Sequence, residues 1–140
     1  MADAHKSNIR SYNMSRIRSK DSKPEIIVRK FLHAQGFRFR LHDKKLPGKP
    51  DIVLKKYKTA VLVHGCFWHA HPECKESHIP ATSQEYWKPK IQRTIERDAT
   101  NETALKALGW HVIKIWECEI EKLEKREMKL SWLLTELATR

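Results

Sequence analysis

The sequence predicts an α/β fold in which a mixed central sheet is flanked by helices. Three observations predict it. Short runs of strand length and β-branched composition, DIVL (51–54), TAVLVH (59–64) and WHVIKIWE (110–117), recur along the chain. Stretches of helical spacing lie before, between and after them. Glycines at 36 and 109 stand where two of those helices should end. The resulting order is helix, helix, three strands, helix, strand, helix, which calls for helices packed on the faces of a sheet.

Taken in order, residues 8–18 (NIRSYNMSRIR) read as a short basic helix whose apolar face, Ile9, Met14 and Ile17, is thin enough to order only on a partner. Ser22-Lys-Pro-Glu25 has capping-box spacing with Pro24 in the first turn, and Ile26, Ile27, Phe31, Leu32 and Ala34 continue a helix that Gly36 stops. Phe37, Phe39 and Leu41 alternate with Arg38, Arg40 and His42, the pattern of a half-buried strand. LPGKP is a turn, and KKYK joins the next two strands as a hairpin. Residues 84–108 read as a helix containing Pro89, tolerated in a first turn or at a kink. Residues 119–138 form the last helix, with Leu123, Leu130, Leu133, Leu134 and Leu137 inward.

A chain of 140 residues fits one domain, here 1–140, with about 1–20 as a basic N-terminal DNA-binding segment. The longest apolar runs are about five residues, far short of the ~20 that span a bilayer, so an unsecreted, cytoplasmic protein without membrane contact is expected. Residues 1–50 carry thirteen Lys/Arg against four Asp/Glu, whereas residues 101–140 balance at seven each. A basic half on a neutral half points to a polyanionic partner at the N-terminal side. Three cysteines are an odd number, so a disulfide framework is disfavoured and thiolate–metal chemistry remains.

The densest chemistry lies in VHGCFWHAHPEC (63–74). Cys66, His71 and Cys74 supply three candidate ligands from one loop, and Cys118 after the last strand supplies a fourth. A Cys3His set suits closed, structural, tetrahedral zinc. On spacing alone His64, His69 and His78 are alternatives to His71, and buried inert thiols are the plainer reading. Asp51 opens one strand and Val63-His64 closes the next, so a carboxylate and a backbone carbonyl converge as hard oxygen ligands for Mg²⁺. His64 or His69 would move a proton or balance charge at phosphate. The bland alternatives are a turn-capping Asp51, a capping-box Glu25 and a solvated Asp98. Phe67, Trp68 and Trp87 beside Lys88, Lys90 and Arg93 suit stacking on bases, against the ordinary fate of aromatics as core.

These segments, NMSRIRSKDSKPE, LPGKPDIV, VHGCFWHAHPEC, PATSQEYW, ERD and LGWHVIKIWEC, resemble the very-short-patch-repair (Vsr) endonuclease family over nearly the whole chain. The resemblance implies a restriction-endonuclease-like fold with a zinc-stapled loop. It implies Mg²⁺-dependent nicking of duplex DNA 5′ of the mispaired T in T:G mismatches left by 5-methylcytosine deamination. Carried over by motif, Asp51 and the Val63 carbonyl hold Mg²⁺, and His69 is the general base. His64 and Asp98 support it, and Glu25 orders a water. Cys66, His71, Cys74 and Cys118 hold structural zinc. Phe67, Trp68 and Trp87 wedge beside the mismatch. Asn13, Met14, Arg16 and Ile17 approach from the N-terminal segment, while Lys90 and Thr94 fall where the mismatch is read. A cytosine-5 methyltransferase and general mismatch-repair proteins are the implied functional partners, and a monomer suffices for one asymmetric cut. The sequence departs from the family pattern at Val63, often Thr, at Thr94, elsewhere Asn, and at Cys74, one residue later in its loop. The rival readings are a restriction-type endonuclease on matched duplex and a non-catalytic, zinc-stabilised DNA-binding module.

Overall fold

The structure is a computed structural model that describes residues 22–140. The expectations for Asn13, Met14, Arg16 and Ile17, and for a helix over 8–18, lie outside the described residues. Helix α1 spans Lys23–Ala34, β1 Arg40–Leu41, β2 Ile52–Leu54, β3 Thr59–His64, α2 Gln84–Ala107, β4 His111–Trp116, α3 Glu117–Glu121 and α4 Leu123–Ala138. The four strands lie in the order β1-β2-β3-β4, antiparallel except for the parallel β3–β4 pair. A parallel pair needs a long crossover. Residues 65–110, which hold the Cys/His loop and α2, make it.

Strand alternation sorts the side chains onto two faces. Ile52, Leu54, Val61, Val63, Ile113 and Ile115 join Val28 and Leu32 of α1, Ile120 of α3, and Leu130, Leu133 and Leu137 of α4 in the main core. Val53 and Ala60 face the other way, onto Leu105 of α2 and Trp110. The sheet is therefore sandwiched between α1, α3 and α4 on one side and α2 on the other, which is the mixed α/β architecture expected. Both glycine stops work as anticipated. At Gly36 (φ 91°) and Gly109 (φ 89°) the chain enters the left-handed region, and paired backbone bonds close each helix end: Phe37 N to Leu32 O at 3.0 Å, and Trp110 N to Leu105 O at 3.1 Å.

KKYK does join antiparallel β2 and β3 as the expected hairpin, through a 3-10 turn that closes at Lys58 in the left-handed region. Three expectations need correction. The strand through Phe37 and Phe39 shrinks to Arg40–Leu41: both rings pack on the main core and Arg38 and Arg40 are exposed, as alternation predicts, but only Arg40 and Leu41 pair with β2. The last helix is two, broken where Lys122 is extended at ψ 134°. Leu123 is 64% exposed rather than inward, since the first turns of α4 overhang a core that begins at Leu130. Among the described residues no helix is long and apolar enough to cross a membrane.

Candidate active site and metal centre

Asp51 immediately precedes β2 and shares the α2-facing side of the sheet with Val53. His64 ends β3 on that same side, and Asp98 comes down from α2. An open cleft of about 900 Å³ forms where these elements meet, lined also by Glu25, His42, Val63, Trp68 and His69. Asp51 Oδ2 accepts a hydrogen bond from Val63 N at 2.8 Å. A strand residue points its N–H and C=O to the same edge. The Val63 carbonyl thus faces the β2 side, where continuing the register sets Pro50 opposite it, and proline has no N–H to donate. That sets the Asp51 carboxylate and a carbonyl without a donor from Pro50 side by side at the cleft. Burial pushes the Asp51 carboxyl up to about 6, against the pull of the Val63 amide and with help from the negative charge of Glu25.

His69 Nδ1 lies 2.5 Å from Asp98 Oδ2, and the His69 ring stacks on His64 with centroids 3.8 Å apart. Asp98 is therefore the partner of His69, not of His64. Burial, then the neighbouring His69, pushes His64 down to about 3.

Glu25 shows that its capping-box spacing was coincidental. Ser22 makes no side-chain cap bond. The Glu25 side chain is 3% exposed, and its Oε2 sits 3.1 Å from Arg29 Nη1 and 2.9 Å from His42 Nε2. His42 itself was not singled out from the sequence, where alternation grouped it with Arg38 and Arg40. The β1–β2 register was the missing signal: carried one step further it sets His42 opposite Asp51, and His42 N donates to Asp51 O at 3.2 Å.

The second cluster lies beside the first. The ligand atoms of Cys66, His71, Cys74 and Cys118 all lie within 4.8 Å of one another, so these four can hold one ion. His71 Nδ1 is 3.6 Å from Cys66 Sγ and 3.4 Å from Cys118 Sγ, and its ring stacks on Trp116. Of the alternatives to His71, His64 and His69 belong to the other cluster, and His78 is in neither. Burial pushes the Cys66 and Cys118 thiols up, so without a cation they hold their protons. Ser77 Oγ lies 2.8 Å from the carbonyls of both His71 and Cys74, within reach of either for its one proton, and braces the loop.

The loop does not hold its aromatics in the open. Phe67 and Trp87 are buried against each other at 5.1 Å, with Trp68 half-buried on both, in a cluster separate from the main core that includes Ile91. Lys90 lies over the Tyr86 ring, and Thr94 Oγ1 bonds to Lys90 O one turn back. Along α2, then, Trp87, Lys90, Thr94 and Asp98 run on one face from the aromatic cluster to the His69 pair.

Residues 2–76 match the family described as DNA mismatch endonuclease Vsr. The chain belongs to the Vsr family. It is 47% identical over 137 residues to the type II nicking enzyme V.NmeAIP of Neisseria meningitidis serogroup A, covering 98% of this chain and 97% of that one. The type II nicking enzyme V.XorIIP of Xanthomonas oryzae pv. oryzae is 44% identical, with 96% and 98% covered. DNA mismatch endonuclease Vsr of Escherichia coli K12 is 42% identical over 125 residues, with 89% and 80% covered. As a Vsr protein the chain is an endonuclease with DNA as its substrate, and the reading as a non-catalytic binding module falls away.

Proposed function

We propose that the protein nicks duplex DNA on the 5′ side of the mispaired T in T:G mismatches, starting short-patch repair where 5-methylcytosine has deaminated. The observation that carries this reading is the convergence of Asp51, Val63, His64, His69, Asp98 and Glu25 on one cleft. The names of the relatives supply the mismatch and the nick. Asp51 and the Val63 carbonyl, both oxygen donors, would hold Mg²⁺, whose chemistry is to neutralise phosphate charge and assist attack by water. His69, its Nδ1 held by Asp98, offers Nε2 to take the proton of the attacking water. His64 stays neutral under it and fixes the ring by stacking. Glu25, anchored by Arg29, orients that water.

The separations of 3.4 and 3.6 Å in the second cluster support zinc. Tetrahedral bonds of about 2.3 Å to sulfur and about 2.0 Å to nitrogen set S and N roughly 3.5 Å apart. All four positions are filled by protein, so the zinc would be structural and would staple the loop to β4 and α3. Phe67, Trp68 and Trp87 form the wedge beside the mismatch, with Lys90 and Thr94 at its edge, and Asn13, Met14, Arg16 and Ile17 supply the N-terminal contacts. The protein acts as a cytoplasmic monomer on nucleoid DNA, linked functionally to a cytosine-5 methyltransferase and to general mismatch-repair proteins.

The test is a Mg²⁺-dependent nicking assay on duplexes that differ only in T:G or T:A, in several flanking contexts. A nick confined to the T strand of the mismatched duplex is expected. Cleavage of both strands of matched DNA would establish the restriction-type reading instead.

A further inference from the structure

The cleft holds a nitrogen donor that the reading above does not use. His42 Nε2 is sealed from solvent and has no hydrogen-bond partner among the described residues. It is 2.9 Å from Glu25 Oε2, in an approach not aligned for a hydrogen bond, and 3.9 Å from Asp51 Oδ1. Glu25, His42 and Asp51 bring their donor atoms within 4.8 Å of one another, a set separate from both the Cys66 cluster and the His64, His69 and Asp98 group.

The spacing is that of ligands around one ion. Neighbouring donors on an octahedral divalent cation at about 2.1 Å lie roughly 3 Å apart, and wider angles bring them near 4 Å. The scaffold holds the imidazole there at a conformational cost: His42 has φ 48°, in the left-handed region that side chains with a Cβ disfavour. Its amide is tied to Asp51 O and Glu25 is tied to Arg29, so all three donors are fixed by neighbours.

We infer that His42 Nε2 is a third protein ligand of the Asp51 metal centre, giving it a mixed nitrogen and oxygen donor set that favours Mn²⁺ over Mg²⁺. This rests on the reading of Asp51 as a metal ligand. Mg²⁺ prefers oxygen throughout and parts reluctantly with water, whereas first-row transition ions accept imidazole beside carboxylates. A glutamine at position 42 would keep an oxygen donor in reach and erase the preference.

Mn²⁺ affinity is measured by electron paramagnetic resonance, and Mg²⁺ affinity by competition, on the full-length wild type, H42Q and D51N, without DNA. H42Q is expected to lose about tenfold or more in Mn²⁺ affinity and less than about threefold in Mg²⁺ affinity. Pulsed spectra of the Mn²⁺-loaded wild type should show imidazole ¹⁴N coupling that H42Q lacks. An unchanged Mn²⁺/Mg²⁺ ratio in H42Q overturns the inference. Should H42Q not fold, H42N takes its place, and absence of nitrogen coupling in the wild type overturns the inference by itself. Undiminished binding of both ions by D51N would instead overturn the Asp51 metal centre.

Discussion

His64 and His69 lie face to face, ring centroids 3.8 Å apart and planes within 6° of parallel. Two imidazoles stacked this closely cannot both carry charge without strong repulsion. Burial has already settled the question for His64, pushed down to about 3, so it serves as a neutral plate. The edge of Trp116, 5.2 Å away, supports that plate from the side. Asp98 fixes the remaining degree of freedom by holding His69 Nδ1 at 2.5 Å. The ring is constrained in position and in tautomer, with Nε2 left over for chemistry.

Replacing that carboxylate should therefore hurt turnover more than binding. D98N is expected to lower kcat about 100-fold, with KM changed less than about threefold, and H69A should lose at least as much. Single-turnover nicking of labelled duplex measures both. An H69A protein that nicks at the wild-type rate would remove His69 as the base.

Asp51 should be a liability to the fold before it is an asset to the site. Its carboxyl, pushed up to about 6 by burial, takes a proton more readily folded than unfolded, where the ordinary value is 3.8. The cost is absent below pH 4, grows between pH 4 and 6, and is complete above 6. D51N removes it, and without added Mg²⁺ at pH 7.5 should be more stable than wild type by roughly 1–3 kcal/mol. His64 works with the opposite sign, since acid protonates it in the unfolded chain first and so weakens the fold. The difference between variant and wild type across pH 4–8, not either curve alone, is the quantity to measure by denaturant melts. A D51N protein no more stable at pH 7.5 would contradict this account.

Much of the framework was legible because it rests on local rules. The β-branched runs at 51–54 and 59–64 became β2 and β3, and Gly36 and Gly109 closed their helices, since each signal acts within a few residues. The thiols of the candidate metal cluster were legible for a different reason: three cysteines in the whole chain stand out, whereas eight histidines do not, and the choice of His71 came from the family resemblance. What was not legible depends on contacts distant in sequence. Nothing near Glu25 says that its carboxylate turns from the helix N-terminus toward His42, and nothing near His42 says that pairing sets it opposite Asp51. The burial of Phe67 and Trp87 likewise follows from the fold of the 65–83 loop back onto α2.

Metal at the cysteine cluster should be integral to stability. One zinc per chain is expected, absent in both Cys74→Ala and Cys118→Ala. Because the Cys66 and Cys118 thiols are protonated without a cation, loading should release protons in proportion to zinc, measurable by calorimetry in two buffers of different ionisation enthalpy. Metal content equal to wild type in both variants would refute the site.

The aromatic cluster makes a prediction about discrimination. Phe67 and Trp68 both line the cleft, but Phe67 and Trp87 are buried whereas Trp68 is half-buried, so Trp68 is the most exposed ring of the three. Its cluster with Trp87 and Ile91 is separate from the main core, so the ring can shift without disturbing the sheet. If Trp68 wedges into an unstacked mismatch, W68A forfeits stacking worth about 1–3 kcal/mol where the helix is already weakened, and far less on matched duplex. The ratio of T:G to T:A affinity should therefore fall by roughly 5- to 100-fold, while T:A affinity stays within about threefold. Titration of both duplexes by fluorescence anisotropy in Ca²⁺, which supports binding without cleavage in many Mg²⁺ nucleases, separates the two terms. Equal losses on the two duplexes would mean that Trp68 packs the loop and does not read the mismatch.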